Sequence, residues 1–197
     1  MSQTIFQLKI TLRGSQKPSI WRQVQIPAGL DFQQLHAIIQ GAMGWTNSHL
    51  HAFTDRRRNF SIGMPDEFDM DETQDGREEK VQDYLSAKSD TLIYEYDFGD
   101  SWEHIIEVQK VLEAEPGETY PKLLKGKGAC PPEDCGGIWG YYHMVEAIND
   151  PKHEDHEDMV EWTCVEEWDV NEFDEAHARE RMLDRFNNAR NSYGMFF

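Results

Sequence analysis

Apolar and polar residues alternate in several short segments of the chain. In residues 5–12 the even-numbered positions are apolar, and this period of two is typical of a half-buried β-strand. Similar patterns predict strands at 20–26, 48–53, 91–97 and 102–111. The short connections after the first and fourth of these strands favour β-hairpins.

A period of 3.6 residues follows the first hairpin and predicts a helix over residues 31–43. Asp31 and Gln34 have the spacing of a capping box, and Gly44 is typical of a helix end. The same reasoning predicts two further helices, at 138–149 and 174–190. Acidic residues 64–80 and the Gly- and Pro-rich residues 113–137 are expected to be loops.

These elements predict one α+β domain over residues 1–197. Its expected core is a largely antiparallel sheet of about five strands, with the helices packed against it. At 197 residues the chain has the length of one domain.

Composition places the protein among soluble cytoplasmic proteins. Its apolar residues make up 39% of the chain, but no run is long enough to cross a bilayer. No signal peptide is recognised at the start. The three cysteines are too few for a disulfide framework and are expected to be reduced.

The net charge of −18 is unevenly distributed. Residues 1–58 hold seven basic and two acidic residues, a sum of +5, so residues 59–197 sum to −23. Because such a body repels phosphates, we expect no binding to duplex nucleic acid. The basic residues are interpreted either as a phosphate or partner-docking patch or as an internal balance to the acidic loop. They are Lys17, Arg22, Arg56, Arg57 and Arg58.

A first group of ionisable residues has the composition of a metal or catalytic site. If residues 48–53 form a strand, His49 and His51 share a face, and Asp97 would complete a divalent-metal site, with zinc the first choice. Asp100 and His104 are the other catalytic candidates of a water-activating centre. The alternative is that these residues serve their own turns and strands.

Aromatic residues surround the turn at 97–100, and they have two interpretations. They form either a ligand pocket or a cross-strand cluster in the core. The candidate ligand-binding residues are Tyr96, Trp102, Glu133 and Asp134.

A second group lies in the segment CPPEDCGG. Cys130 and Cys135, with His143, could bind zinc if Cys164, His153 or His156 supplied a fourth ligand. The alternative is a rigid loop in which Glu133 or Asp134 caps the helix at 138–149. We expect HLHAF, YDFGD and CPPEDCGG to meet at one concave site.

Six ordered segments resemble the plasmid pRiA4b ORF-3-like family over about residues 5–175. They are LKITLRGSQKPSIWRQVQIP, LHAIIQGAMGW, HLHAF, YEYDFGDSWEH, ACPPEDCGGIWGY and FD. The resemblance implies an α+β fold with a largely antiparallel sheet and no established catalytic residue. It also implies an association with mobile elements, since some relatives carry the label of an insertion-sequence passenger of the TnpR type.

Two functions from different classes follow. The first is an accessory or protein-interaction module linked to mobile elements, with a protein partner. The second is a metal-dependent hydrolase that uses the His/Asp group, so whether the protein is an enzyme stays open. An acidic mimic of nucleic acid is a third idea.

Overall fold

A computed structural model describes residues 3–65 and 73–192 of the chain. The strands are β1 Thr4–Leu12, β2 Trp21–Pro27, β3 His51–Thr54, β4 Ile62–Gly63, β5 Gln74–Asp75, β6 Thr91–Tyr96, β7 Trp102–Glu113 and β8 Lys122–Lys127. The helices are α1 Phe32–Met43, α2 Val81–Tyr84, α3 Gly137–Asn149, α4 His156–Thr163 and α5 Glu175–Ser192.

The strands form a single sheet in the order β5-β4-β3-β6-β7-β1-β2-β8. Every pair is antiparallel except β4 with β5. The predicted α+β class is therefore confirmed, but in the described residues the sheet has eight strands and not about five. The two-residue strands β4 and β5 are too short to show a period, and β8 (KLLKGK) has no clean alternation.

One predicted strand begins later than expected, and this changes the expected site. β3 starts at His51, which pairs with Tyr96 of β6. His49 lies before the strand, so His49 and His51 do not share a strand face as predicted. The backbone of β6 still holds this segment in place, because the Asp97 N–H donates to the Leu50 carbonyl at 2.9 Å.

Helix α1 has the capping box that its sequence predicts. Asp31 Oδ1 accepts a hydrogen bond from the Gln34 N–H at 2.8 Å, and Gln34 Oε1 accepts one from the Asp31 N–H at 3.2 Å. The helix ends at Gly44, whose φ of 113° is in the left-handed region.

The core lies between the sheet and the helices. Inward-facing residues of β1, β2, β6 and β7 pack with buried residues of α1, α3 and α5 in one continuous cluster. α1 packs against α5, and α3 packs against α4. None of the helices in the described part of the chain is long and apolar enough to cross a membrane.

Both predicted loops contain regular structure. Within 64–80, residues 66–72 lie outside the described residues, and Gln74–Asp75 form β5. Within 113–137, Lys122–Lys127 form β8 and pair with β2. The register with β2 shows that this stretch extends the sheet.

Candidate metal centre

Three separate segments meet at one end of the sheet. They are the residues before β3, the β6–β7 turn and the loop before α3. The loop before α3 approaches the β6–β7 turn closely at Gly136 and Gly137. The Gly136 N–H donates to Asp100 Oδ2 at 3.1 Å. A Cβ at Gly137 would lie 2.5 Å from the Asp100 carbonyl oxygen. Any side chain at position 137 would therefore push these two loops apart.

His49 lies at the centre of this junction and faces three carboxylates. Its Nε2 atom is 3.3 Å from Asp134 Oδ1, 3.6 Å from Asp97 Oδ2 and 3.7 Å from Glu133 Oε2. This Nε2 is buried, and among the described residues it has no hydrogen-bond partner. A buried polar atom without a partner is costly and calls for an explanation.

Asp97 is oriented by its own turn. It adopts a left-handed backbone conformation, with φ 57°, which aspartate tolerates better than most residues. Its Oδ1 accepts the N–H of Gly99 at 2.9 Å and that of Asp100 at 3.4 Å. These bonds leave Oδ2 directed towards His49.

Glu133 is oriented in the same way by the segment before β3. Its Oε1 accepts hydrogen bonds from the Thr46 N–H at 2.6 Å and from Thr46 Oγ1 at 2.9 Å. The Tyr96 hydroxyl lies 3.2 Å from both carboxylate oxygens and itself accepts the Ser48 N–H at 2.9 Å. Glu133 therefore does not cap α3, whose N-cap is Gly136.

The spacing of these atoms suits a divalent metal ion. The ligand atoms of His49, Asp97 and Asp134 all lie within 4.8 Å of one another. Ligands bound at about 2.0–2.2 Å in a tetrahedron are roughly 3.3–3.6 Å apart, close to the separations around His49 Nε2. The Asp134 side chain is 71% exposed, so the centre is open on one side.

His51 and His104 do not join this group. His51 stacks on His36 of α1, with ring centroids 3.6 Å apart, and His104 Nδ1 lies 2.9 Å from the Trp102 carbonyl. Burial lowers the pKa of His51 to about 2 and that of His104 to about 4. Both are neutral core residues because their positions on β3 and β7 face the helices.

The other candidates near the turn at 97–100 are Asp100, Trp102 and Tyr96, and each has structural contacts. Asp100 binds the backbone of the loop before α3, as described above. Trp102 is buried and packs against Trp45, with ring centroids 5.2 Å apart. Only Tyr96 combines a core position with a polar atom at the centre.

The cysteines do not form the second predicted site with His143. Cys130 and Cys135 are free thiols that pack against the core, and burial raises the pKa of each to about 12. In the described part of the chain, neither cysteine belongs to a group with metal-ligand spacing. The hydrogen bonds that fix the surrounding loop agree with the rigid-loop alternative, but its predicted cap by Glu133 or Asp134 is wrong, because the N-cap of α3 is Gly136 and no side chain caps the helix.

His143 belongs instead to a smaller surface cluster. Its Nε2 lies 3.1 Å from Asp155 Oδ2, and His153 Nδ1 lies 3.9 Å from the same oxygen. His153 Nδ1 also accepts the Asp155 N–H at 3.1 Å. The His143 and Asp155 side chains are 50% and 39% exposed, so solvent competes for this cluster more than for His49.

The basic residues do not form one surface patch. Arg22 is buried, with 1% of its surface exposed. Arg58 NH2 lies 3.0 Å from Glu95 Oε2 and 3.3 Å from Glu103 Oε1. Arg58 is therefore paired within the fold, but these partners lie on β6 and β7 and not in the acidic loop that the sequence analysis named.

Sequence reasoning missed Thr46, Asp155 and Trp139. Thr46 carries no signal, because its contact with Glu133 depends on how two distant loops meet. Trp139 does carry one: a tryptophan beside the buried residues Tyr141 and Met144 lies off the apolar stripe of α3. It is 84% exposed.

A family model described as plasmid pRiA4b ORF-3-like protein matches residues 4–177. The chain belongs to this family. The matched range includes His49, Asp97, Glu133 and Asp134 and the three segments that carry them. It ends just inside α5.

Two proteins similar to this chain show how much of its length they share. An uncharacterized protein, y4hQ, from Sinorhizobium fredii (strain NBRC 101917 / NGR234) is 42% identical over 173 residues, 86% of each chain. The crystal structure of MM3350, a protein of unknown function from Methanosarcina mazei Go1, has a TM-score of 0.77 and 34% identity. It covers 89% of this chain and 98% of its own.

Proposed function

We propose that this protein binds a divalent metal ion through His49, Asp97 and Asp134, with Glu133 beside them. One observation carries the proposal: the buried Nε2 of His49 faces three carboxylate oxygens at 3.3–3.7 Å. Those distances are longer than good hydrogen bonds but match the spacing of ligands around one ion. A mixed set of one imidazole and carboxylates suits Zn²⁺, with Mn²⁺ as the harder alternative.

The surrounding hydrogen bonds support this function. Asp97 uses Oδ1 on backbone donors and keeps Oδ2 for the centre. Glu133 Oε1 accepts from Thr46, and the Tyr96 hydroxyl lies 3.2 Å from both Glu133 oxygens. Such outer contacts orient the ligands of metal sites. Three carboxylates around one imidazole also bring together negative charge that a divalent ion would largely neutralise.

The chemistry best matched to this centre is hydrolysis. A bound divalent ion supplies Lewis acidity. Glu133 Oε2, held by Tyr96 next to His49, is placed to accept a proton. No arginine or lysine lies among the residues of the centre, so a neutral or cationic substrate is favoured over a phosphate ester.

The first test is the metal content of protein purified without chelator, or loaded with Zn²⁺ or Mn²⁺ and desalted. We expect about one ion per chain, with most of it lost in His49→Ala and Asp97→Asn. His143→Ala is the matched control, because it removes the other His/Asp cluster. Full metal content in His49→Ala, or no uptake by the wild type, would contradict the proposal.

Hydrolysis has a separate test. Glu133→Gln should keep the metal but lose at least about 10² of the rate with p-nitrophenyl acetate as a probe. If the metal-loaded wild type and Glu133→Gln hydrolyse the probe equally, the protein binds metal without using Glu133 as a base.

An accessory role linked to mobile elements remains the other proposal from the sequence. The family resemblance alone supports it. It predicts that loss of the gene changes the transfer or copy number of a resident plasmid or transposon, which a mating assay would measure.

A further inference from the structure

A second surface, separate from the metal centre, has the properties of a binding groove. It lies between α3, α4, residues 166–170 and the β1–β2 turn, and its volume is about 1360 Å³. Its apolar lining comprises Ile138, Tyr142, Val145, Val160 and Trp168, all partly buried against the core.

Trp139 marks one edge of this groove. It is among the groove residues and yet 84% exposed, whereas its helical neighbours Tyr141 and Met144 are buried. Tryptophan at the edge of an apolar depression is the residue type most often found at the energetic centre of protein interfaces. Because Trp139 is so exposed, its ring gains little from burial in the isolated chain.

The turn between β1 and β2 forms one wall of the groove and is hydrogen-bonded to α3. The Tyr142 hydroxyl donates to the Gln16 carbonyl at 2.9 Å and accepts from the Gln16 N–H. A Cβ at Gly14 would lie 3.3 Å from Ile138. The groove is therefore bounded by residues that are fixed to one another, and it is largely formed before any partner binds.

The volume argues for a polypeptide occupant. Pockets for small molecules usually enclose about 300–1,000 Å³, and this groove is larger, at about 1360 Å³. Its floor presents the apolar side chains of Ile138, Tyr142, Val145 and Ile148 from one helix, which suits a segment that carries several apolar side chains of its own.

The charge around the groove specifies the rest of the partner. Residues 154–169 hold eight acidic residues and no lysine or arginine. Glu166, Glu167 and Asp169 are exposed at the groove itself, and Lys17 is its only lysine or arginine in the described part of the chain. A second copy of this chain, at −18, would be repelled from such a rim.

We propose that this groove binds an amphipathic basic segment of a partner protein, with apolar side chains against Trp139 and Tyr142 and Lys or Arg side chains against Glu166 and Glu167. This gives the protein-interaction role a site and a partner chemistry, and it does not depend on the metal centre. Apolar anchors would supply the affinity, and the acidic rim would supply the choice of a basic partner.

The experiment uses the full chain and a fluorescein-labelled amphipathic peptide of Leu and Lys, about 15 residues long. Its sequence-matched Leu/Glu peptide tests the sign of the charge. Trp139→Ala and Glu166→Gln/Glu167→Gln should each weaken binding about tenfold or more. The controls are Trp162→Ala, an exposed tryptophan outside the groove lining, and Glu113→Gln/Glu115→Gln on an exposed strand end.

The controls separate a site from general attraction to an acidic protein. Equal affinity in all four variants, equal binding of the Leu/Glu peptide, or no saturable binding would overturn the proposal. A dimer in sedimentation that Trp139→Ala dissolves would also overturn it, because the occupant would then be a second copy. Failure here leaves the metal centre intact, since metal content is a separate measurement.

Discussion

Arg22 shows how a single buried cation can be accommodated without a carboxylate. Its guanidinium donates to the carbonyl oxygens of Trp21, Ala42, Lys127 and Gly128 at 2.9–3.0 Å. The Phe173 ring covers it at 4.1 Å. Burial lowers the pKa of Arg22 to about 10, so it is still protonated at neutral pH.

Replacement of Arg22 should therefore be among the most destabilising changes in the chain. Arg22→Ala leaves four carbonyl oxygens without their donor, and we expect a loss of at least about 3 kcal/mol in the free energy of unfolding. Arg22→Lys should recover only part, since an ammonium cannot match the planar fork.

Urea denaturation measures this loss, and Arg56→Ala is the control. Arg56 is exposed, so its removal should change stability by no more than about 0.5 kcal/mol. If Arg22→Ala were as stable as Arg56→Ala, the carbonyl cluster would have no energetic role.

Among the candidate site residues, those next to strand ends could be predicted from the sequence. His49 and Asp97 could be named as candidates, but their proximity depends on the pairing of β3 with β6, which the sequence pattern does not give. Asp134 could be named as a candidate, but its place beside His49 depends on how the loop before α3 folds back. That loop is positioned by Gly136, Gly137 and Asp100, contacts between residues far apart in the chain.

At the scale of elements, the pair α1–α5 illustrates a close approach that only glycine allows. A Cβ at Gly41 would lie 2.5 Å from Met182 Cα and 2.8 Å from the Arg181 carbonyl oxygen. Both obstacles are backbone atoms, so no side chain can rotate away. α5 would have to move as a unit.

Gly41→Ala should accordingly destabilise the protein by about 1–3 kcal/mol. Helix propensity alone would predict the opposite, a gain of about 1 kcal/mol for alanine, so the sign of the result decides between the two effects. The measurement is the midpoint of urea denaturation.

Gly29→Ala is the control for Gly41→Ala. Its Cβ would meet only Gln82 Oε1, at 3.7 Å, which is ordinary contact. Gly41→Ala with a stability equal to or above that of the wild type would show that α5 does not pack as closely as described.

The predictability of the elements follows the strength of their local signals. Helix α1 could be predicted almost to the residue because its caps, its apolar stripe and its terminal glycine agree. The strands β4, β5 and β8, at or next to the edges of the sheet, could not, because each forms only where a neighbouring strand offers unpaired backbone groups. Pairing of this kind has no local sequence period to detect.

At the scale of the whole molecule, charge and burial divide the protein into distinct surfaces. The metal centre gathers its histidine and carboxylates from three segments of the chain, whereas the acidic rim of the groove comes from one continuous segment, residues 154–169. The expected lack of duplex binding remains a prediction from the net charge. The buried titratable groups include three histidines.

Those three histidines predict that the whole fold loses stability in mild acid. Burial lowers the pKa of His36 to about 4, of His51 to about 2 and of His104 to about 4. In the unfolded chain each would have a pKa of about 6.5. Between about pH 6.5 and pH 4 the unfolded state therefore binds more protons than the folded state, and stability must fall as the pH falls.

Each buried histidine should lower the free energy of unfolding by about 2 kcal/mol as the pH falls from 7 to 5. His104→Asn should reduce the wild-type loss by about that amount, because asparagine can still donate to the Trp102 carbonyl but does not titrate. Exposed His177→Asn is the control and should leave the loss unchanged. Hydrogen bonds chiefly lower the pKa values of Asp55, Asp75 and Asp90. Their protonation therefore changes the stability only at a pH below this window. Urea denaturation at pH 7 and pH 5 gives the comparison, and equal losses for His104→Asn and wild type would contradict the buried neutral state of His104.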